Sequence, residues 1–354
     1  MKSKTLQLIF AAVITFSLAL TGCTTSTSSD ATDTSAARTS SPGGQSAGTE
    51  ATYPITIKHA FGETVIKTKP ERVATISWGN QDLPLALGVV PVGISKANYG
   101  VTDNSGLLPW TLEKFKELGV TAPVLFDDVA GLNFEAVSDV KPDVILAAYS
   151  GITQEEYDLL SQIAPVVAYP TQPWQTYWRD QIVLDATGMG MKEEGEALVD
   201  KLEALIAEST SKYPQIAGKT AAFLYFTPTD LSKFYVYLPG DPRAAYLMDL
   251  GMKAPGSVTS LAAESTSFAL EISAENADML KDIDIIITYG NDKLLGSLQA
   301  DALVGTIPAV KRGSVVVIED GTPLAASGTP SALSIPATLA DYLRIIGEAA
   351  DKVK

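Results

Sequence analysis

The sequence predicts an α/β protein made of two Rossmann-like lobes bridged by one long α-helix, with a ligand cleft between the lobes. Three observations carry this. First, apolar or small residues at Met191, Gly195, Leu198, Leu202, Leu205, Ile206, Ser209 and Tyr213 step by threes and fours, one stripe of a helix over 189–213. Lys192, Glu193, Glu194, Glu196, Asp200, Lys201, Glu203 and Glu208 fall between them, as on a solvated face, and Pro214 ends the run. Such a run at about 1.5 Å per residue makes a rod of about 37 Å, the width of a small domain. Second, the segments on either side repeat one grammar. Residues 133–146 read as a short helix, a turn at Pro142 and a buried strand, and 272–287 read the same way. Their apolar runs, 144–147 and 285–287, are what a parallel sheet covered on both faces requires. Third, 354 residues, 46% of them hydrophobic, suffice for two cores.

The N-terminus reads as a targeting segment. Lys2 and Lys4 precede an apolar stretch over 6–20, too short for a comfortable membrane span. Leu20-Thr21-Gly22-Cys23 follows and resembles a bacterial lipobox, which implies a signal peptide over 1–22 and lipidation of Cys23. Acyl chains on that residue would anchor the protein to a membrane. Cys23 is the sole cysteine, so the processed chain keeps no thiol for disulfides or thiolate metal sites. Residues 23–52, Ser/Thr/Gly-rich and without aromatics, are expected to be a flexible tether. The formal charge of −15 argues against nucleic acid or an anionic membrane surface as a partner.

The first lobe is expected over 53–174. Residues 53–59 and 63–67 alternate like a hairpin, and 73–77 and 89–94 read as strands around a short helix over 82–87. Open parallel sheets bind ligands at the carboxyl ends of their strands. By that rule Trp78, Asn80, Gln81, Tyr99, Tyr149 and Ser150 are pocket candidates. The last strand, 164–168, leads into an aromatic cluster with Trp174 and Trp178, closed by Arg179. That cluster either lines the cleft or packs the rod against the lobe. His59, the only histidine, falls in the hairpin as a surface or hairpin residue. One histidine and no mature cysteine make a zinc or manganese carrier built on imidazole a poor reading.

A helical linker over 175–217 leads to the second lobe, 218–354. Strands are expected over 219–226, with Tyr225 at its end, and over 234–237, with Tyr235 and Tyr237. Asp241 suits an N-cap and Pro242 a first helical position, which places Arg243 in the first turn. A cation there opposes the helix dipole, so Arg243 either faces an anionic ligand or is an ordinary surface arginine. Tyr289 ends the 285–287 strand, 315–319 is the last strand and 333–349 a closing helix.

Several segments in order resemble one family. They are Pro70-Glu-Arg-Val-Ala74, Ala86-Leu-Gly-Val-Val-Pro-Val-Gly93, Asn133-Phe-Glu-Ala-Val137 with Lys141-Pro-Asp-Val-Ile145, Ile163-Ala-Pro-Val-Val167, 245–251 and Ile272-Ser-Ala-Glu275. The chain resembles the lipid-anchored iron–siderophore binding proteins of Gram-positive ABC importers, those with a single long interlobe helix. Ser77-Trp-Gly-Asn-Gln81 with Ala147-Ala-Tyr-Ser150 looks most like actinobacterial members. The resemblance implies a monomeric carrier that closes on a ferric siderophore and delivers it to a permease and its ATPase. It implies no cofactor and no metal ligands from the protein, since the chelator already holds the iron. It also implies docking on permease arginines through one acidic residue per lobe, here Glu135 and Glu275, with Glu271 or Asp278 as substitutes for the second. Tyr and Trp faces and an Arg fork suit such a ligand. Haem or cobalamin binding on the same architecture is the alternative, with Tyr149 or Tyr289 as an axial ligand. A secreted hydrolase or a structural surface lipoprotein are alternatives of another class. No enzyme is expected: from residue 53 onward there is no Gly-x-Ser-x-Gly elbow and no Walker loop, and Gly188-x-Gly190 does not follow a strand.

Overall fold

The computed structural model describes residues 51–128 and 130–353. Cys23, the expected signal peptide and all but the last two residues of the expected tether lie outside the described residues.

The first lobe opens with an antiparallel hairpin, β1 (Ile55–His59) and β2 (Gly62–Ile66), which buries alternate residues. His59 lies in this hairpin and is buried there: its Nε2 lies 3.0 Å from the Thr64 hydroxyl, beneath Tyr157. Five parallel strands follow: β3 (Val73–Thr75), β4 (Gly93–Ser95), β5 (Leu125–Phe126), β6 (Val144–Ala147) and β7 (Val166–Ala168). Their order is β5-β4-β3-β6-β7, so the sheet reverses direction of winding between β3 and β6. Helices α1 (Asp82–Ala86), α2 (Pro109–Glu117), α3 (Phe134–Asp139) and α4 (Gln154–Leu160) connect the strands. The strand expected over 89–94 starts only at Gly93, because the Val89 amide turns back to the Pro84 carbonyl, closing the end of α1.

The linker holds two helices, α5 (Trp178–Gly188) and α6 (Lys192–Thr210). The rod expected over 189–213 is therefore shorter at both ends. At its start the Met191 amide donates to the Ala186 carbonyl and the Gly190 amide to that of Thr187, with Gly190 at φ +70°. This paired C-terminal motif ends α5 and needs the left-handed conformation that glycine adopts without strain. The two helices cross closely, and a Cβ at Gly195 would run into the Ala186 methyl. Leu202 and Ile206 of α6 are buried, each worth about 1.5–3 kcal/mol. They belong to one apolar cluster that runs from Val144 and Leu146 through Ile182 and Ala186 to Phe223 and Tyr342. The core is thus continuous from one lobe to the other through the linker.

The second lobe contains β8 (Ala221–Thr227), β9 (Asp230–Tyr237), β10 (Ala269–Ser273), β11 (Ile285–Gly290) and β12 (Val315–Glu319), in the order β10-β9-β8-β11-β12. Only β8, β11 and β12 are parallel; β9 runs antiparallel to both its neighbours. Two residues join β8 to β9, a connection too short for a parallel crossover. The helices are α7 (Pro242–Asp249), α8 (Gly256–Ala263), α9 (Leu294–Ala300), α10 (Pro308–Arg312), α11 (Pro323–Ala326) and α12 (Ser334–Ala350). A 3-10 segment, Ala274–Asp282, stands where the first lobe has α3.

The repeated grammar has a physical counterpart. Asp143 accepts from the amides of Glu71 and Arg72 just before β3, and Asp284 accepts from the Thr220 amide just before β8. Each carboxylate ties the entry of the first strand of its five-stranded sheet to that of the fourth, β3 to β6 and β8 to β11.

Candidate functional site

A cavity of about 770 Å³ lies between the lobes. Ser77 and Trp78 reach it from the end of β3, Tyr149 from the end of β6, and Trp174 from the segment before α5. The second lobe adds Tyr225 and Tyr237 from its antiparallel strands, Arg243 from α7, Phe268, and Tyr289 from β11. In the first lobe this is the crevice at the switch point, where open α/β sheets take ligands.

Of the ten side chains expected at the ligand, Trp78, Tyr99, Tyr149, Trp174, Tyr225, Arg243 and Tyr289 line the cavity, and Asn80, Trp178 and Tyr235 stand outside it. Asn80 is fully buried and its amide group is used up. Its Nδ2 donates to the carbonyls of Ile76 (2.7 Å) and Tyr149 (3.0 Å), and its Oδ1 accepts from the Tyr149 amide and from Gln181. It stitches the ends of β3 and β6 together and so aims Trp78 and Tyr149. Gln81 and Ser150 are buried and also off the cavity.

The aromatic cluster splits. Trp174 turns into the cavity, edge-on to Tyr149 with ring centroids 5.3 Å apart, and only a glycine at 151 leaves room for its indole. Trp178 begins α5, is buried, and donates from Nε1 to Asp249 of the second lobe at 2.8 Å. Arg179 covers its ring at 4.3 Å and bonds both Asp249 and Glu203 of α6. Trp178 thus packs the linker onto the second lobe. Tyr235 donates to Glu271 at 2.6 Å, two residues before Tyr237 on β9.

Arg243 is half-buried above the Tyr237 ring, 4.2 Å from its centroid. Its Nε and Nη2 both reach the Asp241 carboxylate, at 2.8 and 2.6 Å, and Asp241 is fully buried. Burial works against the guanidinium charge, but the hydrogen bonds and charge of Asp241 outweigh it and hold Arg243 well above its ordinary value. The pair is neutral as a unit, which explains why the first turn of α7 tolerates the cation. Burial pushes the Tyr149 and Tyr289 hydroxyls up, so both remain protonated donors.

The charged and aromatic lining residues not foreseen include Lys96, Asp128, Glu156, Phe268 and Asp320. Lys96 and Asp128 follow β4 and β5, and Asp320 follows β12, so the strand-end rule applied to every strand finds them. Phe268 and Glu156 lie in a loop and a helix start that carry no such signal.

Glu135 and Glu275 lie on the surface in matching settings. Asn133 caps α3 by accepting from the Ala136 amide, and Ser273 caps the 3-10 segment by accepting from the Glu275 amide. Each glutamate is two residues past its cap. Glu135 lies eight residues before Asp143 and Glu275 nine before Asp284, and the 3-10 segment over the second interval is kinked at Asn276 and Leu280. Glu271 is engaged with Lys233 and Tyr235.

A family model described as periplasmic binding protein matches residues 73–321. The chain belongs to that family. Among periplasmic binding proteins, the probable siderophore-binding lipoprotein YfiY of Bacillus subtilis is 25% identical over 296 residues, 78% of this chain and 84% of that one. The crystal structure of Streptococcus pneumoniae PiaA in complex with ferrichrome is 55% identical, covers 85% of this chain and 100% of its own, and superposes with a TM-score of 0.82. Staphylococcus aureus SirA complexed with staphyloferrin B, 24% identical over 84% of this chain and 97% of its own, shares the fold with a TM-score of 0.62.

Proposed function

We propose that this periplasmic binding protein captures a ferric hydroxamate siderophore of the ferrichrome type in the interlobe cleft and delivers it to an ABC importer. The observation that carries the reading is the cavity itself, walled by Trp78, Trp174 and five tyrosines from both lobes, in a chain 55% identical to a protein solved with ferrichrome. Aromatic faces suit the bulk of such a chelate, and protonated hydroxyls and indole nitrogens suit its carbonyl and hydroxamate oxygens. In this reading the iron arrives already held by its chelator and asks no ligand of the protein. The chain acts as a carrier and not as an enzyme.

Glu135 and Glu275 are the proposed contacts to the permease, one on each lobe. The lipobox resemblance at Cys23, and a relative described as a lipoprotein, support an extracytoplasmic protein anchored to the cell membrane. The protein works as a monomer beside the permease and its ATPase.

Titration of tryptophan fluorescence in the chain from residue 51 tests the reading. Saturable quenching by ferrichrome, without a comparable response to haem or cobalamin, is expected. Quenching by haem alone, with a Soret shift, would replace it. Reversing Glu135 and Glu275 to Arg is expected to abolish siderophore uptake by cells and leave quenching intact.

A further inference from the structure

The charges around the cavity deepen the proposed reading and rest on it. Two cations line the cavity, Lys96 and Arg243, and both are matched by carboxylates beside them. Lys96 lies 3.7 Å from Asp127, and Arg243 lies 2.6 Å from Asp241. Three carboxylates also line it, Asp128, Glu156 and Asp320. Their hydrogen bonds come from uncharged donors. Asp128 accepts from the Ser95 hydroxyl and the Asn133 amide, Glu156 from the Thr153 amide at 2.8 Å, and Asp320 from the Tyr99 hydroxyl at 2.5 Å. Such bonds fix a carboxylate in place and leave its charge standing.

We infer that the cleft selects its ligand by charge: it takes ferric chelates of zero or positive net charge and turns away anionic ones. A cleft with low-dielectric walls focuses the field of the charges that line it. An anionic chelate, such as a ferric tris-catecholate, meets three uncompensated carboxylates and no unmatched cation among the lining residues. A neutral trihydroxamate meets no such penalty, and a chelate with an ammonium group gains attraction. This reverses the simple reading of Arg243 as an anion receptor, because Asp241 already occupies its fork.

The test holds the chelate constant and changes only its charge. One ring glycine of ferrichrome is replaced by lysine, asparagine or aspartate, giving a cationic, a neutral and an anionic complex of similar size. Affinities are read by fluorescence quenching at low and at physiological salt. The aspartate form is expected to bind about tenfold weaker than the asparagine form at low salt, and the lysine form at least as tightly. The gap narrows with salt and shrinks in the Asp128→Asn/Glu156→Gln double variant. Equal binding of all three forms, tighter binding of the aspartate form, or a gap unchanged in the double variant overturns the inference. Failure of ferrichrome itself to bind overturns the function on which it rests, a separate outcome.

Discussion

The Tyr99 hydroxyl of the first lobe donates to Oδ1 of Asp320 of the second at 2.5 Å, and the Gly321 amide donates to the same hydroxyl at 3.2 Å. The Tyr99 ring meets Tyr289 edge-on, with centroids 6.2 Å apart. This contact spans one side of the cavity. At the start of the linker, beside Trp174, Gln175 donates to the Thr266 carbonyl and Tyr177 to that of Pro239. The second lobe is therefore tied both to Tyr99 of the first lobe and to the segment before α5.

Tyr99→Phe removes the cross-cleft bond and keeps the ring. A hydrogen bond to a charged acceptor contributes about 1.5–3 kcal/mol, less where solvent reaches it. The variant should release ferrichrome about fivefold faster, read by stopped-flow fluorescence, with a melting temperature close to that of the parent. An unchanged off-rate would show that the contact does not restrain ligand release.

Arg243→Ala leaves Asp241 charged, buried and alone. Breaking a buried pair from one side costs about 3–5 kcal/mol. Urea denaturation should show that loss, whereas Arg243→Met combined with Asp241→Asn should recover most of it. A double variant as unstable as the single one would mean that packing, not charge, sets the cost.

Asp82 of α1 is buried, and burial pushes its carboxyl from 3.8 up to about 6, against hydrogen bonds from Ser331, Thr111, Trp110 and Gln81. The native state then keeps the proton up to about pH 6, while the unfolded chain releases it near 3.8. Between those values the native state binds more protons, so this group's contribution to stability falls as pH rises. The fall totals about 3 kcal/mol and is complete above pH 6. Asp82→Asn loses hydrogen bonds, which lowers its whole stability curve, and loses the titration, which changes the slope. The difference in slope between parent and variant from pH 4 to 6 is the readout. Parallel curves would remove Asp82 from the linkage.

Gly195→Ala sets two effects against each other. Alanine gains about 1 kcal/mol in a helix interior. The added methyl meets Ala186 across the helix crossing, and overpacking typically costs about 1–3 kcal/mol. A net loss of stability is expected in denaturant, with ferrichrome affinity retained in the folded fraction. A gain would mean that α5 and α6 separate easily.

Strands β6, β11 and β12 were legible because their apolar runs are continuous, as burial on both faces demands. The break at Gly190 was not, since the apolar steps continue through it and only backbone hydrogen bonds reveal the turn. At the site, the strand-end rule located Trp78 and Tyr149 and also drew in Asn80. One residue type carries no mark of whether it meets a ligand or fastens the residues that do. Tyr235 and Tyr237 share a strand face, and what separates them is distance along β9. The first-turn position of Arg243 leaves open whether it faces an anionic ligand or is an ordinary surface arginine. Its charge is answered two residues earlier by Asp241, whose N-cap position is legible but whose pairing with the guanidinium is not.

The hydrogen-bond shell of Asp82 is closed by the Ser331 hydroxyl at 2.5 Å, a partner 249 positions later in the chain. Leu333, from the same stretch, packs against Leu85, Leu107 and Phe115 of the first lobe. A growing polypeptide that has finished 53–191 therefore still lacks one donor to a buried acid and part of an apolar cluster. Both are supplied only once Ser331 and Leu333 are made. The first lobe to be synthesised is thus completed only after every strand of the second.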